Sequence, residues 1–343
     1  MVLQVKSDYI HMQPSTLASA TAQAPSNIAF VKYWGKTDHD LTLPQNPSIS
    51  MSLDSLYTTT TVTFSDSYTQ DEVWIAAPNE PSQQVTGTKA TRVIQQLDRV
   101  RQLNSESRRA KVESVNNFPS GVGIASSASA FAALTLATTT ALNMTLTPTE
   151  LSRLTRLGGS GSATRSIFGG YVEWLTGDDQ SSVAQQLFPE SYWQLSDVIA
   201  IISTAEKKVS SLEGHELAET SPFYQTRLTD LPRRLKVVRH ALEQRDITLL
   251  GAELEPEALS LHTVAMTCVP PVFYPMTETF WLLDELRTWR KEGVEVYGTM
   301  DAGPNVHCIC QKSDAEKVKE KLNQLPYVQQ VLAAHVGGGA RIV

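Results

Sequence analysis

Nowhere among its 343 residues does the chain hold about 18 consecutive apolar side chains, the span a membrane-crossing helix requires. Its start carries Lys6, Asp8, His11 and Gln13 and has no apolar centre of the kind a secretory leader needs. Cysteine is scarce. Cys268, Cys308 and Cys310 are too few for a disulfide framework, and Cys308 and Cys310, in one strand-like run, are expected to point to opposite faces. A reducing compartment, the cytoplasm, is the expectation, with no membrane partner. Positive charge is also short: the net charge of −7 argues against a general nucleic-acid binder, so any polyphosphate ligand must find its cations gathered locally. Two common phosphate-loop signatures are missing as well. No lysine follows Gly123 as a Walker A loop demands, and the G-x-G-x-x-G spacing is not there.

What the chain does have lies in a few short stretches. Asn117-Phe118-Pro119-Ser120-Gly121-Val122-Gly123-Ile124-Ala125-Ser126-Ser127-Ala128-Ser129 sits between a strand-like run, 110–118, and an apolar segment, 128–142. Glycine lets a backbone approach a ligand closely. Serine hydroxyls and the free N–H groups of a starting helix then converge on one point, where the helix dipole favours negative charge. The stretch reads as a phosphate cradle; a Gly/Ser turn capping a core helix is the plainer alternative.

Length suits two domains or one large composite, with a break expected between Gly177 and Asp197 where Asp178-Asp179-Gln180-Ser181-Ser182 and Pro189-Glu190 disrupt periodicity. The expected division is an extension over 1–20, a first domain over 21–190 and a second over 191–343. Threonine-rich 57–64 favours a strand, and apolar Val93, Leu97, Val100 and Leu103 give 89–103 one buried helical stripe. Thr147-Pro148-Thr149-Glu150 reads as a capping box for a helix that stops at Gly158-Gly159. Continuous apolar 198–202 predicts a buried strand. Helices are expected over 220–244, interrupted near Pro232, then over 246–262 and 276–291. Strands are expected over 294–300 and 306–311, a helix over 313–325, a strand over 328–334, and a terminal turn at Gly337-Gly338-Gly339.

Four stretches, taken together, resemble one family. Asn27-Ile28-Ala29-Phe30-Val31-Lys32-Tyr33-Trp34-Gly35-Lys36 would pass alone for a lysine-rich surface segment. Pro119-x-x-x-Gly123-Ile124-Ala125-Ser126-Ser127-Ala128 is the cradle. Gly159-Ser160-Gly161-Ser162-Ala163-Thr164-Arg165-Ser166-x-x-Gly169-Gly170 would pass for a hinge with one arginine, and Asp301-Ala302-Gly303-Pro304-Asn305 for a turn. In this order they resemble the diphosphomevalonate decarboxylase family of the GHMP kinase superfamily, over roughly residues 22–340. Leu43 to Leu53, with Pro47 in a slot often held by a small polar residue, and the Glu206-Lys207-Lys208 and Glu219-Thr220-Ser221-Pro222 segments are similar too.

The resemblance implies an α+β GHMP kinase fold: an N-terminal α/β domain like ribosomal protein S5 domain 2, a ferredoxin-like C-terminal domain, and a cleft between them. It implies that ATP and Mg²⁺ are used to phosphorylate the 3-hydroxyl of (R)-5-diphosphomevalonate, and that loss of phosphate and CO₂ then gives isopentenyl diphosphate. Asp301 would take or orient the hydroxyl proton, Lys32 or Lys36 would keep it ionised, and Arg165 would hold the substrate carboxylate. Tyr33, Lys36, Ser160 and Ser162 would meet the terminal phosphates. Ser120, Gly121, Gly123, Ala125, Ser126 and Ser127 would hold ATP; no metal ligand is assigned. Some relatives place a polar or basic residue near Leu212, so 5-phosphomevalonate decarboxylation to isopentenyl phosphate is the alternative. A mevalonate 3-kinase or a non-catalytic GHMP homologue that binds a small molecule stands further off. A homodimer is compatible with the family.

Overall fold

The computed structural model describes residues 18–78, 80–119, 124–205 and 207–343. Two large antiparallel-rich sheets, a small two-stranded one (Lys36–Asp38 with Leu43–Pro44) and nine α-helices make up the described chain, the expected α+β class. The larger sheet is centred on an 18-residue strand, Ser48–Ser65, whose threonine-rich half alternates buried and half-exposed side chains. Ser19–Val31 pairs along one side of it and Arg109–Asn116 along the other, while Tyr171–Trp174 pairs with its first four residues. Glu72–Ala76 adds beyond Arg109–Asn116 in parallel. Period-two alternation directs Val62, Phe64, Ala110 and Val112 inward, onto Phe131, Leu134 and Ala137 of the helix Ser126–Ala141.

The smaller sheet runs Val296–Thr299, Val306–Gln311, Leu195–Ile201, Gln330–His335, antiparallel throughout. Its outer face packs on Leu282, Leu283 and Leu286 of helix Thr277–Lys291 and on Val318 and Leu322 of helix Ala315–Asn323. Its inner face joins helices Tyr224–Gln244 and Ile247–Thr267 in a cluster that also holds Ile28, Ile49 and Met51 of the larger sheet. One core therefore spans both sheets and fixes the strand ends that carry Lys32 and Asp301 relative to each other.

Three expectations fail for physical reasons. Pro232 does not interrupt its helix: Tyr224–Gln244 is one element of 21 residues. Burial of Leu231, Leu235, Val238 and Leu242 in the shared core offsets the missing N–H and the ring clash. Cys308 and Cys310 face the same way, into one apolar cluster, as residues two apart on a strand must, and both are free thiols. The triple glycine is not a terminal turn. Gly337 exchanges backbone hydrogen bonds with Ser52 and Gly170, and Arg341–Ile342 then pairs with Ala22 and Gln23 of the first strand. The capping box at Thr147 and Glu150 forms as its spacing predicts. No helix among the described residues is long and apolar enough to cross a membrane.

Candidate active site

The first strand ends at Val31, and the chain then enters the site with Lys32, whose main chain is tied down from two sides. Its N–H donates to Glu257 Oε1 at 3.0 Å, and its carbonyl accepts from Asn46 Nδ2 at 2.9 Å and Arg227 Nη2 at 3.1 Å. Arg227 also forks onto both carboxylate oxygens of Glu257 at 2.7 and 2.9 Å, with side chains 1% and 0% exposed. Removing one member of such a pair strands a buried charge. Arg227→Met is therefore expected to cost about 3–5 kcal/mol in urea denaturation. Arg227→Met combined with Glu257→Leu should recover most of that; no recovery would place the loss in packing instead.

Held this way, Lys32 Nζ meets Asp301 Oδ1 at 2.8 Å, with side chains 2% and 24% exposed. Asp301 starts a turn closed by the Gly303 N–H on the Asp301 carbonyl at 2.7 Å. Asn305 pins the turn's far end, accepting the N–H groups of Ile202 and Ser203 at 2.7 and 3.0 Å. Burial pushes the Asp301 carboxyl up, but the charges of Lys32, His307 and Arg165 outweigh it and hold it below the usual carboxylate range.

Arg165 lies on a short helix, Ala163–Ser166, and is 3% exposed. Nε donates to Ser50 Oγ at 2.9 Å, Nη2 to Asn27 Oδ1 at 3.1 Å, and Nη1 to Ser48 Oγ. Asn27 is itself anchored on Ser166 Oγ at 2.8 Å and on the Ser162 carbonyl at 3.1 Å. Three neutral acceptors leave two of the five guanidinium N–H groups for a ligand. Burial lowers the Arg165 pKa to about 10, against the pull of the Asp301 charge, so the side chain remains a cation.

Tyr33 packs edge-on to Trp174 at 4.7 Å and against His215 at 4.1 Å. Its hydroxyl is buried with no described partner. Gly161 makes this possible, since a Cβ there would fall 2.8 Å from the Tyr33 ring and 2.4 Å from Trp174. Gly35 has φ +88°, and a Cβ on it would strike the Tyr224 hydroxyl. Its N–H donates to His215 Nδ1 at 2.9 Å, so His215 clamps the Tyr33–Lys36 loop as a neutral ring; burial and the nearby Lys36 keep it uncharged.

Beyond that loop lies a second cationic region. Lys36 is 6% exposed and has no carboxylate in ion-pair range among the described residues. Burial lowers its pKa; Glu216 opposes that and Arg92 adds to it. Arg92, from helix Gly87–Asn104, gives one hydrogen bond to the Gly159 carbonyl at 3.2 Å and stacks 4.8 Å over Phe131. It too lacks a described carboxylate partner. Ser160 Oγ donates to Ser127 Oγ at 3.3 Å, next to the start of helix Ser126–Ala141, which follows Ala125. Cations without counter-ions, serine hydroxyls and a helix N-terminus make an anion site. Lys207 closes another side: Nζ donates to the Ala302 carbonyl at 3.0 Å and lies within reach of the Asp301 charge.

The structure thus brings together Lys32, Asp301 and Arg165 on one side, and Lys36, Ser127 and Ser160 on the other, with Tyr33 near both. Ser162 contributes its carbonyl to Asn27. Ser120, Gly121 and Gly123 lie outside the described residues. Sequence reasoning missed Arg92, Glu257, Arg227 and His215. Arg92 sits among the polar positions of an amphipathic helix and gave no signal.

Comparison with known proteins agrees over most of the chain. A family model for the diphosphomevalonate decarboxylase-like N-terminal domain matches residues 24–184, and one for the mevalonate 5-diphosphate decarboxylase C-terminal domain matches 197–339. The diphosphomevalonate decarboxylase of Homo sapiens is 34% identical over 307 residues, 84% of this chain and 76% of that protein. The Saccharomyces cerevisiae enzyme is 34% identical over 314 residues, covering 84% and 77%. The mevalonate diphosphate decarboxylase of Staphylococcus aureus superposes with a TM-score of 0.88 at 36% identity, over 95% of this chain and 98% of that one. A complex described as MDDEF with MVAPP, AMPPCP and magnesium gives 0.87 at 37% identity, over 95% and 99%.

Proposed function

The chain belongs to the diphosphomevalonate decarboxylase family, and on that premise we propose that its cleft spends ATP to decarboxylate (R)-5-diphosphomevalonate. One observation supports this above others: a lysine–aspartate pair at 2.8 Å beside a buried arginine with two N–H groups to spare. A tertiary alcohol is a weak nucleophile, and hydroxide leaves poorly. The Asp301 carboxylate accepts the proton of the 3-hydroxyl as its oxygen takes the γ-phosphoryl group. The C3–O bond then breaks and inorganic phosphate leaves. Arg165 holds the C1 carboxylate in place; the C1–C2 electron pair becomes the C2–C3 double bond, and CO₂ departs. Lys32 offsets charge on the transferring phosphoryl group, and Asp301 faces the positive charge that builds at C3.

Ser126 and Ser127 at the helix start hold the ATP phosphates, together with Ser120, Gly121 and Gly123. Among the described residues no group of three His, Cys, Asp or Glu side chains could hold a metal. Bound with ATP, Mg²⁺ would be held by phosphate oxygens and water, with the Ser127 hydroxyl as this chain's own oxygen ligand, and would supply charge neutralisation between the phosphates.

In this reading Lys36, Arg92, Tyr33 and Ser160 hold the substrate's terminal phosphates, so that with leucine at 212 the cations come from the other half of the chain. Arg92→Gln is expected to raise KM for the 5-diphosphate substrate about tenfold (about 1.4 kcal/mol), with kcat changed less than threefold; an unchanged KM removes Arg92 from the site. The reaction itself is tested by incubation with ATP, Mg²⁺ and each of mevalonate, its 5-phosphate and its 5-diphosphate, following ADP and CO₂ separately. Equal ADP and CO₂ with the 5-diphosphate alone is the expected result. ADP without CO₂ would mean a kinase, and turnover of the 5-phosphate alone would shift the substrate.

A further inference from the structure

The buried imidazole of His307 has no part in the chemistry above, yet it stands close behind the proposed base. It lies on strand Val306–Gln311 opposite Thr299, and two residues past Thr299 the chain reaches Asp301. On the other side, His307 Nδ1 is 2.6 Å from Asp197 Oδ2 of strand Leu195–Ile201, with side chains 1% and 0% exposed. A contact this short to a carboxylate places a proton on Nδ1. Asp197 has no other described partner, and its second oxygen is buried and unpaired. An ionised carboxylate at such depth needs a compensating charge, and among the described residues only the imidazolium can supply it.

We propose that His307, fixed by Asp197, is a positioning residue: a second, ligand-inaccessible cation that keeps Asp301 ionised while Lys32 is engaged by the phosphoryl group in transfer. This rests on the roles given to Asp301 and Lys32 above. Substrate carboxylate and phosphates all add negative charge, and each pushes Asp301 toward its protonated form. Lys32 faces the same anions and is shared with them, and Arg165 is occupied by the substrate carboxylate. His307 is reached by neither ligand, so its field on Asp301 is not competed for.

The surrounding charges agree. Burial lowers the His307 pKa, but the charge and hydrogen bond of Asp197, with help from Asp301, outweigh it and raise the value; Lys32 opposes. Helix Ile247–Thr267 brings two more groups to this buried cluster. His262 is held neutral, its pKa at about 3, chiefly by burial and Lys32, and Glu257 is spoken for by Arg227.

The test is kcat/KM for the 5-diphosphate substrate from about pH 3 to 9 in wild type, His307→Gln, His307→Lys and Asp197→Asn. Loss of a cation raises the Asp301 pKa, so activity should vanish at a higher pH on acidification. The His307→Gln variant is not used as a lone witness because it alters shape; the Asp197→Asn variant, which leaves the ring in place but removes its counter-ion, should move the same way. Both limbs should rise by at least about one pH unit, a factor of ten, with His307→Lys within threefold of wild type. Folded variants with an unmoved limb overturn the proposal. Since a buried variant can fail to fold, the wild-type ring is read directly by nitrogen-15 histidine NMR. Both ring nitrogens of His307 should be protonated at about pH 7.5, and a neutral ring overturns the proposal. That reading stands apart from turnover: wild type inert on the 5-diphosphate would sink the functional assignment, not the protonation state.

Discussion

Asparagine in place of Asp301 is expected to lower kcat about 10³-fold or more, the upper range for a lost proton acceptor, while ATP affinity stays within about threefold. The two side chains have nearly the same shape, so the turn closed by Gly303 and pinned by Asn305 should survive. What changes is charge. The carboxylate that accepts the hydroxyl proton is gone, and Lys32, only 2% exposed, loses its counter-charge. Wild type carries a related signature. Because the charges of Lys32, His307 and Arg165 overcome burial and depress the Asp301 pKa, its ionised form persists below the usual carboxylate range. Activity governed by Asp301 should therefore be full near neutrality and fall only as pH drops through that depressed value. Calorimetric titration with ATP and single-turnover release of CO₂ separate binding from chemistry. Turnover within tenfold of wild type would remove Asp301 from the proton-transfer role.

How much of this was readable beforehand depended on whether the determining physics was local. The capping box at Thr147 and Glu150 needs only residues three apart, and the spacing alone announced it. The strand carrying Tyr57 to Phe64 was legible from its threonines, but its earlier half, with Ser48 and Ser50 turned toward Arg165, was not. Those serines matter because a residue 117 and 115 positions away from them needs both, a fact no window of sequence contains. Helix Tyr224–Gln244 shows the same limit from the other side. A proline that should break a lone helix is overruled by a core drawn from both sheets. Arg92 and Glu257 look like ordinary surface charges on amphipathic helices until the fold turns one toward Gly159 and the other onto Lys32. The motif residues were found because the family writes them contiguously; the groups that hold them were not.

Lysine in place of Arg165 is expected to cost about 10²-fold in kcat, about 2.7 kcal/mol of transition-state stabilisation, with a smaller change in KM. The charge survives such a change, so a role limited to attracting the substrate would survive with it. The guanidinium, though, is already committed: Nε, Nη1 and Nη2 each serve a different acceptor, Ser50, Ser48 and Asn27, with Asn27 on a separate strand from the two serines. An ammonium has three donors on one atom and cannot satisfy that spread while also presenting a fork to a carboxylate. The Arg165→Lys variant would leave buried hydroxyls unpaired and hold the C1 carboxylate through a single point, free to rotate. Decarboxylation needs the C1–C2 bond aligned with the breaking C3–O bond, so misorientation falls on the chemical step more than on binding. Phosphoryl transfer depends on Asp301, Lys32 and the nucleotide, and should be affected less. The variant is thus expected to release more ADP than CO₂. Loss of both products in equal measure would show that Arg165 instead serves the phosphoryl transfer, and a loss under tenfold would mean that its planar fork is not needed.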